Sequence, residues 1–394
     1  MALKGTNQEY GRPYNRRIVL ETIRLHGPIA RGDIAKRVGL TVQTVSTIIR
    51  ELELQGFILG ARETPKGRGY PATSLNINPE GGFAIGVHVT PLGLEAALIN
   101  LAGEVIGKRK RELSHLAPNT AFREIGKLVA ALRKLRPRGR MLGIGLAMPG
   151  PFDVESMSFV GPTTLEGWKG VQVRERLAKV TGLPAFIEVD LAAASLGERL
   201  YGIGRDFREF YYLYFGVGLG GCMVHDGSPL RGAHGNAGEI GHLPLVPNGE
   251  PCPCGNRGCL ERYLSLEALE RRMGKIGRNG WIKESAPLFR SAVAAIENLF
   301  DPETIIIGGL AGEALLNDLL KAASPLPHSI AERRGRAAPR VTLSTSGPDA
   351  VLRGAAALAV SGVLSPRFGV LFAQDEERVQ RDPMMHSGKG TVAA

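Results

Sequence analysis

The sequence predicts an α/β protein in three parts: a winged helix-turn-helix over residues 1–80, a two-lobed domain over 81–373 and a disordered polar tail over 374–394. Three observations predict this. The first eighty residues hold a helix, glycine turn, helix pattern followed by a basic hairpin. Two similar strand–turn–strand openings then recur, at Phe83 and at Phe210, each leading on through helices to a buried strand. Finally, three of the four cysteines crowd into the segment Cys252–Cys259, just after His242.

In the amino-terminal part, Asn15–Leu25 has the apolar recurrence of a helix face, and Gly27-Pro28 ends it. Arg31–Val38, the turn Gly39-Leu40 and the segment from Thr41 to Leu52 form the helix-turn-helix. Ile34, Ala35 and Val38 give one apolar face, and Val45, Ile48, Ile49 and Leu52 give the other. Thr41 suits the N-cap of the second helix. The opposite face presents Gln43, Thr44, Ser46, Thr47 and Arg50, which can reach base edges and phosphates from a major groove. Strands at Phe57–Leu59 and Thr73–Asn78 flank a wing carrying Lys66 and Arg68.

Charge points the same way. The chain of 394 residues carries a net charge of +11, and residues 1–79 alone hold twelve Lys/Arg against six Asp/Glu. A basic terminal module implies a polyanionic partner, here operator DNA. A helical protein-interaction module would share the apolar pattern but not the basic wing. No apolar run of ~18 residues exists to insert into a membrane, and the amino terminus lacks the apolar stretch of a secretory signal. A reducing cytoplasm is expected, with Cys222 a small buried hydrophobe.

From residue 83 the pattern is strands at 83–89, 94–101 and 104–107, a helix from about Thr120, and a buried strand at Leu142–Ala147 leading into Met148-Pro-Gly-Pro151. The second lobe opens with a strand at Phe210–Phe215, a glycine loop at Gly216–Gly221, and a return strand at Met223–His225 closed by Asp226-Gly227. Helices are expected from Ser265 and Ala286, a strand at Thr304–Ile307 ending in Gly308-Gly309, and a last Ala-rich helix from about Asp349 to Val363. Lobe one is assigned 81–186 plus residues 349–373, and lobe two 187–348. A cleft between two such lobes is a natural small-ligand site.

The cluster His242, Cys252, Cys254 and Cys259 supplies four N/S ligands of the kind that hold a tetrahedral Zn2+. Cysteines one residue apart cannot form a relaxed disulfide, and Pro251, Pro253, Gly255 and Gly258 suit a loop folded round an ion.

The segments Leu40–Ser46, Gly143–Pro151, Gly238–His242 and Cys252–Glu261 together resemble the ROK family of sugar kinases and sugar-responsive repressors, over about residues 15–370. The resemblance implies an actin-like, hexokinase-type (ribonuclease H-like) fold. It also implies a homodimer or homotetramer and a structural zinc on those four residues. Kinases of the family hold their sugar with an Asn-Asp pair, the Glu and His of Glu-x-Gly-His, and the Glu after the last cysteine. Here those positions are Val189, Asp190, Glu239, His242 and Glu261, with Gly150 of the Met148–Pro151 turn counted among them. Asp190 matches the general base, and His242 would serve metal and sugar together.

On the sugar side, Val189 stands where an Asn is usual and Ala192 replaces a second Asn after Asp190; the more decisive departures lie on the nucleotide side. Where the kinases have Asp-x-Gly-Gly-Thr, this chain has His88-Val-Thr-Pro-Leu92, with no carboxylate for magnesium and no amide hydrogen at Pro91. Val217 replaces a Thr in the second phosphate loop. The expectation is a non-enzymatic repressor of carbohydrate genes, controlled by a sugar or sugar derivative. The alternatives are an ATP-dependent sugar kinase with a DNA-binding extension, sustained by Asp190, and a ligand-independent scaffold, sustained by Val189.

Overall fold

The computed structural model describes residues 12–62, 73–113, 115–150, 152–153, 158–159, 165, 167–233, 235–333 and 335–364. Lys66, Arg68, Pro151 and the tail 374–394 lie outside the described residues. The chain falls into two compact units that part between Asn78 and Pro79.

The amino-terminal unit runs α1 (Arg12–His26), β1 (Ile29–Ala30), α2 (Arg31–Val38), α3 (Val42–Leu54), β2 (Ile58–Arg62) and β3 (Thr73–Ile77). Gly39 ends α2 at φ 67°, a left-handed turn that glycine adopts without Cβ strain. Thr41 then caps α3, its hydroxyl accepting from the Thr44 N–H at 3.1 Å. Ile34, Ala35, Val38, Val45, Ile48, Ile49 and Leu52 are all buried, as the helical periodicity requires. The strands form an antiparallel sheet in the order β1-β3-β2.

The larger unit opens with β4 (Phe83–Thr90), β5 (Gly93–Asn100), β6 (Val105–Glu112), α4 (Pro118–Arg133) and β7 (Met141–Met148). The short strands β8 (Phe152–Asp153) and β9 (Ser158–Phe159) follow, then α5 (Val173–Thr181), β10 (Ala185–Val189) and α6 (Asp190–Tyr201). After these come β11 (Phe210–Phe215), β12 (Leu219–His225), β13 (Ser228–Pro229), α7 (Leu266–Phe300), β14 (Thr304–Gly309), α8 (Glu313–Ala322), β15 (Val341–Leu343) and α9 (Ala350–Leu364). One sheet is ordered β6-β5-β4-β7-β10 and the other β13-β12-β11-β14-β15. In each, the first three strands in chain order are antiparallel and the last two run parallel to the first. The unit is thus two lobes of one topology, the duplicated actin-like architecture of hexokinases.

Each lobe has its own core, around Val87, Phe122, Ile144 and Trp168 in the first and Leu213, Trp281, Phe289 and Ile307 in the second. A third cluster joins them, built from small residues of α6 and α9 (Ala193, Ala194, Ala350, Ala355) against Tyr212 and Tyr214. Buried Glu198 of α6 accepts hydrogen bonds from Ser344 Oγ at 2.6 Å, Thr345 N at 3.1 Å and Ser346 N at 3.3 Å, fixing the segment that leads into α9.

Three expectations need correction. Gly220 and Gly221 belong to β12 and not to the preceding loop, pairing with Tyr214 and Leu213 of β11; they are glycine because the Leu191 side chain and the Tyr211 ring occupy the space where their Cβ atoms would lie. No helix begins at Ala286. It lies inside α7, whose break is at Gly277 (φ 65°, ψ 179°). The pair Ala286-Pro287 resembles a helix start, yet Pro287 is carried in the helix interior. The first sheet also continues through residue 186, the expected edge of lobe one, since β10 pairs with β7 as far as Val189↔Met148.

Candidate functional site

The metal loop is built by short turns. His242 closes a 3-10 turn over Ile240–His242, and Glu261 lies in another over Leu260–Arg262; Leu260 N–H donates to Leu243 O at 2.9 Å and ties the two together. Between them, Cys252 N–H donates to Asn256 O at 2.8 Å and Gly258 N–H to Glu250 O at 2.8 Å. Gly258 has φ 75°, and a Cβ there would lie 1.8 Å from the Val246 carbonyl oxygen, so only glycine serves.

This folding brings one ligand atom from each of His242, Cys252, Cys254 and Cys259 within 4.8 Å of one another. Cys252 Sγ lies 3.5 Å from His242 Nδ1, and Cys254 Sγ lies 3.7 Å from Cys259 Sγ. Tetrahedral ligation with Zn–S of about 2.3 Å and Zn–N of about 2.0 Å requires ligand separations of roughly 3.5–3.8 Å. The donor set and its spacing fit such an ion. Cys254 is held down to about 7, first by the Asn256 N–H, whereas burial pushes Cys259 up to about 12. Three clustered thiols cannot all ionise without a cation among them. Cys222 stands apart, buried, its thiol pushed up to about 12 by burial.

The same turns carry the expected ligand contacts. His242 directs Nε2 toward Glu239 Oε2 at 3.9 Å, while Nδ1 faces the cysteines. Burial raises the Glu239 carboxyl; the charge of His242 opposes this, and those of Glu261 and Asp190 add to it. Glu239, Glu261, Asp190 and His242 are therefore brought together. Glu261 Oε2 accepts from Leu219 N–H at 2.9 Å, and Asp190, the first residue of α6, accepts from Leu191 N–H at 2.8 Å.

Val189 is packed in the first lobe's core and also lines a small cavity with Ala192, Glu188, Arg231, Asn236 and Glu239. Gly150 lies half-buried just past the end of β7.

Two residues and one contact in this region went unnoticed in the sequence. Glu188, buried, is paired with Arg231, and burial raises its carboxyl against that pairing. His88 Nε2 lies 3.9 Å from Asp190 Oδ2. Glu188 could have been suspected as the neighbour of Val189-Asp190; Arg231 and the His88–Asp190 approach carry no local signal.

On α3, Thr41, Gln43, Thr47 and Arg50 are exposed, and Thr44 and Ser46 are half-buried. Thr44 Oγ1 is engaged by Thr41 Oγ1 at 2.8 Å, and Thr47 Oγ1 donates to Gln43 O at 3.2 Å. Gln43 and Arg50 therefore have the longest free reach from this face. Arg50 has no ion pair among the described residues.

A winged helix-turn-helix, a duplicated hexokinase-type unit and a Cys3His loop beside three carboxylates define a class of regulator built on a sugar-kinase scaffold. Residues 84–361 match the ROK family, and residues 13–58 match the winged helix-turn-helix DNA-binding family. The chain belongs to the ROK family.

It is 30% identical over 349 residues to the xylose repressor of Caldicellulosiruptor bescii, covering 77% of this chain and 86% of that one. It is 26% identical over 344 residues to the DNA-binding transcriptional dual regulator NagC of Escherichia coli, covering 78% and 83%. Among solved structures it is similar to a ROK family transcriptional regulator described as a homologue of the E. coli MLC protein. There the TM-score is 0.70 at 25% identity, covering 90% of this chain and 97% of that one. The ROK hexokinase of Thermus thermophilus matches with TM-score 0.58 at 26% identity, covering 71% and 98%. No helix among the described residues is long and apolar enough to cross a membrane.

Proposed function

We propose that this chain is a sugar-responsive DNA-binding transcription regulator, a repressor of carbohydrate uptake or catabolism genes. One observation carries the reading: Asp190, Glu239, Glu261 and His242 lie together, a set suited to hydrogen-bonding hydroxyls, while the end of β4 and the turn after it offer His88 and Pro91 where phosphate and magnesium would need backbone amides and a carboxylate. Such a site can hold a sugar without phosphorylating it. Residues 1–80 would read operator DNA through Thr41, Gln43, Thr44, Ser46, Thr47 and Arg50 on the helix and Lys66 and Arg68 on the wing. Residues 81–373 would sense the ligand through Asp190, Glu239, His242 and Glu261, with Val189 and Gly150 at the border. Relatives named xylose repressor and N-acetylglucosamine repressor support this over the kinase alternative.

The same reading makes the ion on His242, Cys252, Cys254 and Cys259 a structural zinc and the protein a cytoplasmic homodimer or homotetramer. Its test is selection of duplexes from a random pool by the full chain, followed by titration with sugars. Sugar-dependent change in affinity for the selected duplex supports the reading. Robust sugar-stimulated ATP turnover would establish the kinase instead.

A further inference from the structure

The residue at the tip of the first lobe's sheet opposite Asp190 has an orphaned polar atom. His88 is 3% exposed, and its Nε2 is buried without a hydrogen-bond partner among the described residues. Buried polar atoms are almost always satisfied, so an unpaired one aimed at a binding cleft marks a place for a ligand atom. The nearest charged group is Asp190 Oδ2, 3.9 Å away. That gap is too long for a hydrogen bond. An oxygen at ~2.8 Å from both atoms would bridge them at roughly a right angle.

A second orphan lies on the other lobe, near enough to Asp190 to feel its charge. Tyr214 of β11 is 5% exposed, and its hydroxyl also lacks a hydrogen-bond partner among the described residues. Burial, followed by the negative charge of Asp190, raises this phenol well above its ordinary range, so it stays a neutral O–H. Its ring lies against two glycine turns: a Cβ on Gly216 would meet Tyr214 Cε1 at 2.6 Å, and one on Gly309 would meet Cδ2 at 2.9 Å. The ring thus closes the side of the pocket where the second lobe's glycine turns converge.

We propose that His88 is a specificity-determining residue that, with Asp190 and Tyr214, grips one free hydroxyl of an uncharged sugar and rejects a phosphate ester at that position. The chemistry follows from the donors and acceptors. Asp190 accepts the ligand's hydroxyl hydrogen, and His88 Nε2–H donates to the same oxygen. A phosphate monoester would set close to two negative charges against the Asp190 carboxylate in a water-poor pocket, with no Arg or Lys among the three groups to offset them. The inference rests on the sugar-sensor reading above and narrows its effector to a free sugar.

The experiment is calorimetric titration of the full chain with D-xylose, D-glucose, N-acetyl-D-glucosamine and the 6-phosphates of the last two. Wild-type protein, His88→Ala and His88→Gln are compared, with melting temperature and zinc content as folding controls. A free sugar is expected to bind at least about 10-fold more tightly than its 6-phosphate. His88→Ala should weaken free-sugar binding by about 10-fold, as loss of a buried hydrogen bond does. His88→Gln, which keeps a donor, should recover most of it. A 6-phosphate that binds as tightly as its free sugar, or free-sugar affinity unchanged in His88→Ala, overturns the assignment of His88 and leaves the sensor reading standing. Absence of any binding by the wild type overturns both.

Discussion

Gly354 of α9 and Ala193 of α6 touch backbone to backbone: a Cβ built on Gly354 would lie 1.7 Å from the Ala193 carbonyl oxygen. The same helix meets the first sheet in this way, with Gly145 of β7 against the Ala355 carbonyl at 1.7 Å and Gly86 of β4 against that of Leu352 at 2.0 Å. These contacts seat α9 between the helix that begins at Asp190 and the strand that carries His88.

Gly354→Val should therefore destabilise the larger unit by at least about 2 kcal/mol, because the added methyl groups press on backbone that no rotamer change can move aside. Urea denaturation followed by tryptophan fluorescence measures this through Trp168 and Trp281, both buried in the cores. A midpoint within error of wild type would show that the seam yields easily.

Removal of the metal is expected to loosen the loop and the pocket together. Cys254 is exposed, so Cys254→Ser disturbs little packing yet removes one thiolate. Metal analysis should fall from one zinc per chain to near zero, with a lower melting temperature and loss of sugar binding. Full sugar binding by zinc-free protein would separate the metal loop from the pocket.

Much of this was legible beforehand. Zinc-type ligand spacing is local, so the Cys252–Cys259 loop could be read without knowing the fold, as could α2 and α3 from their apolar faces and the Thr41 cap. Helix α6 was missed for a physical reason. Residues 192–198 are all buried, so Ala192, Ala193, Ala194, Ser195 and Gly197 show no polar stripe and no helical period. Strand β15 has three residues, too few for any alternation to register. The approach of His88 to Asp190 joins β4 to the start of α6, a pairing made only when β7 and β10 bring the two ends together.

Glu297 supplies a pH dependence. Burial alone would raise its carboxyl, but the hydrogen bonds from Arg340 and the charges of Arg340 and Arg336 outweigh burial and hold it below the usual range. Arg340 grips it with two bonds, Nε to Oε1 at 2.9 Å and Nη2 to Oε2 at 2.6 Å. A depressed folded-state value stabilises the fold above the ordinary carboxylate pKa of about 4.3, and that contribution fades as pH falls through the folded value. Glu297→Gln should be markedly less stable than wild type at pH 7, with the difference narrowing below about pH 4. A gap constant between those conditions would assign the loss to packing.

On the recognition helix, Arg50→Ala should weaken binding to a selected duplex and reduce the slope of log affinity against log salt by about 1, as loss of one phosphate contact does. Gln43→Ala should leave the slope alone and relax base preference at one position. Equal slopes for wild type and Arg50→Ala would remove Arg50 from the phosphate contacts.

His242 points one ring nitrogen at the cysteines and the other at Glu239, so a single side chain belongs to two structures at once. Any substitution there forfeits the loop before it can test a new ligand. A change of ligand preference that keeps the metal must therefore come from residues other than the four ligands, such as Val189, Ala192 and Arg231, which line the small cavity beside Glu239.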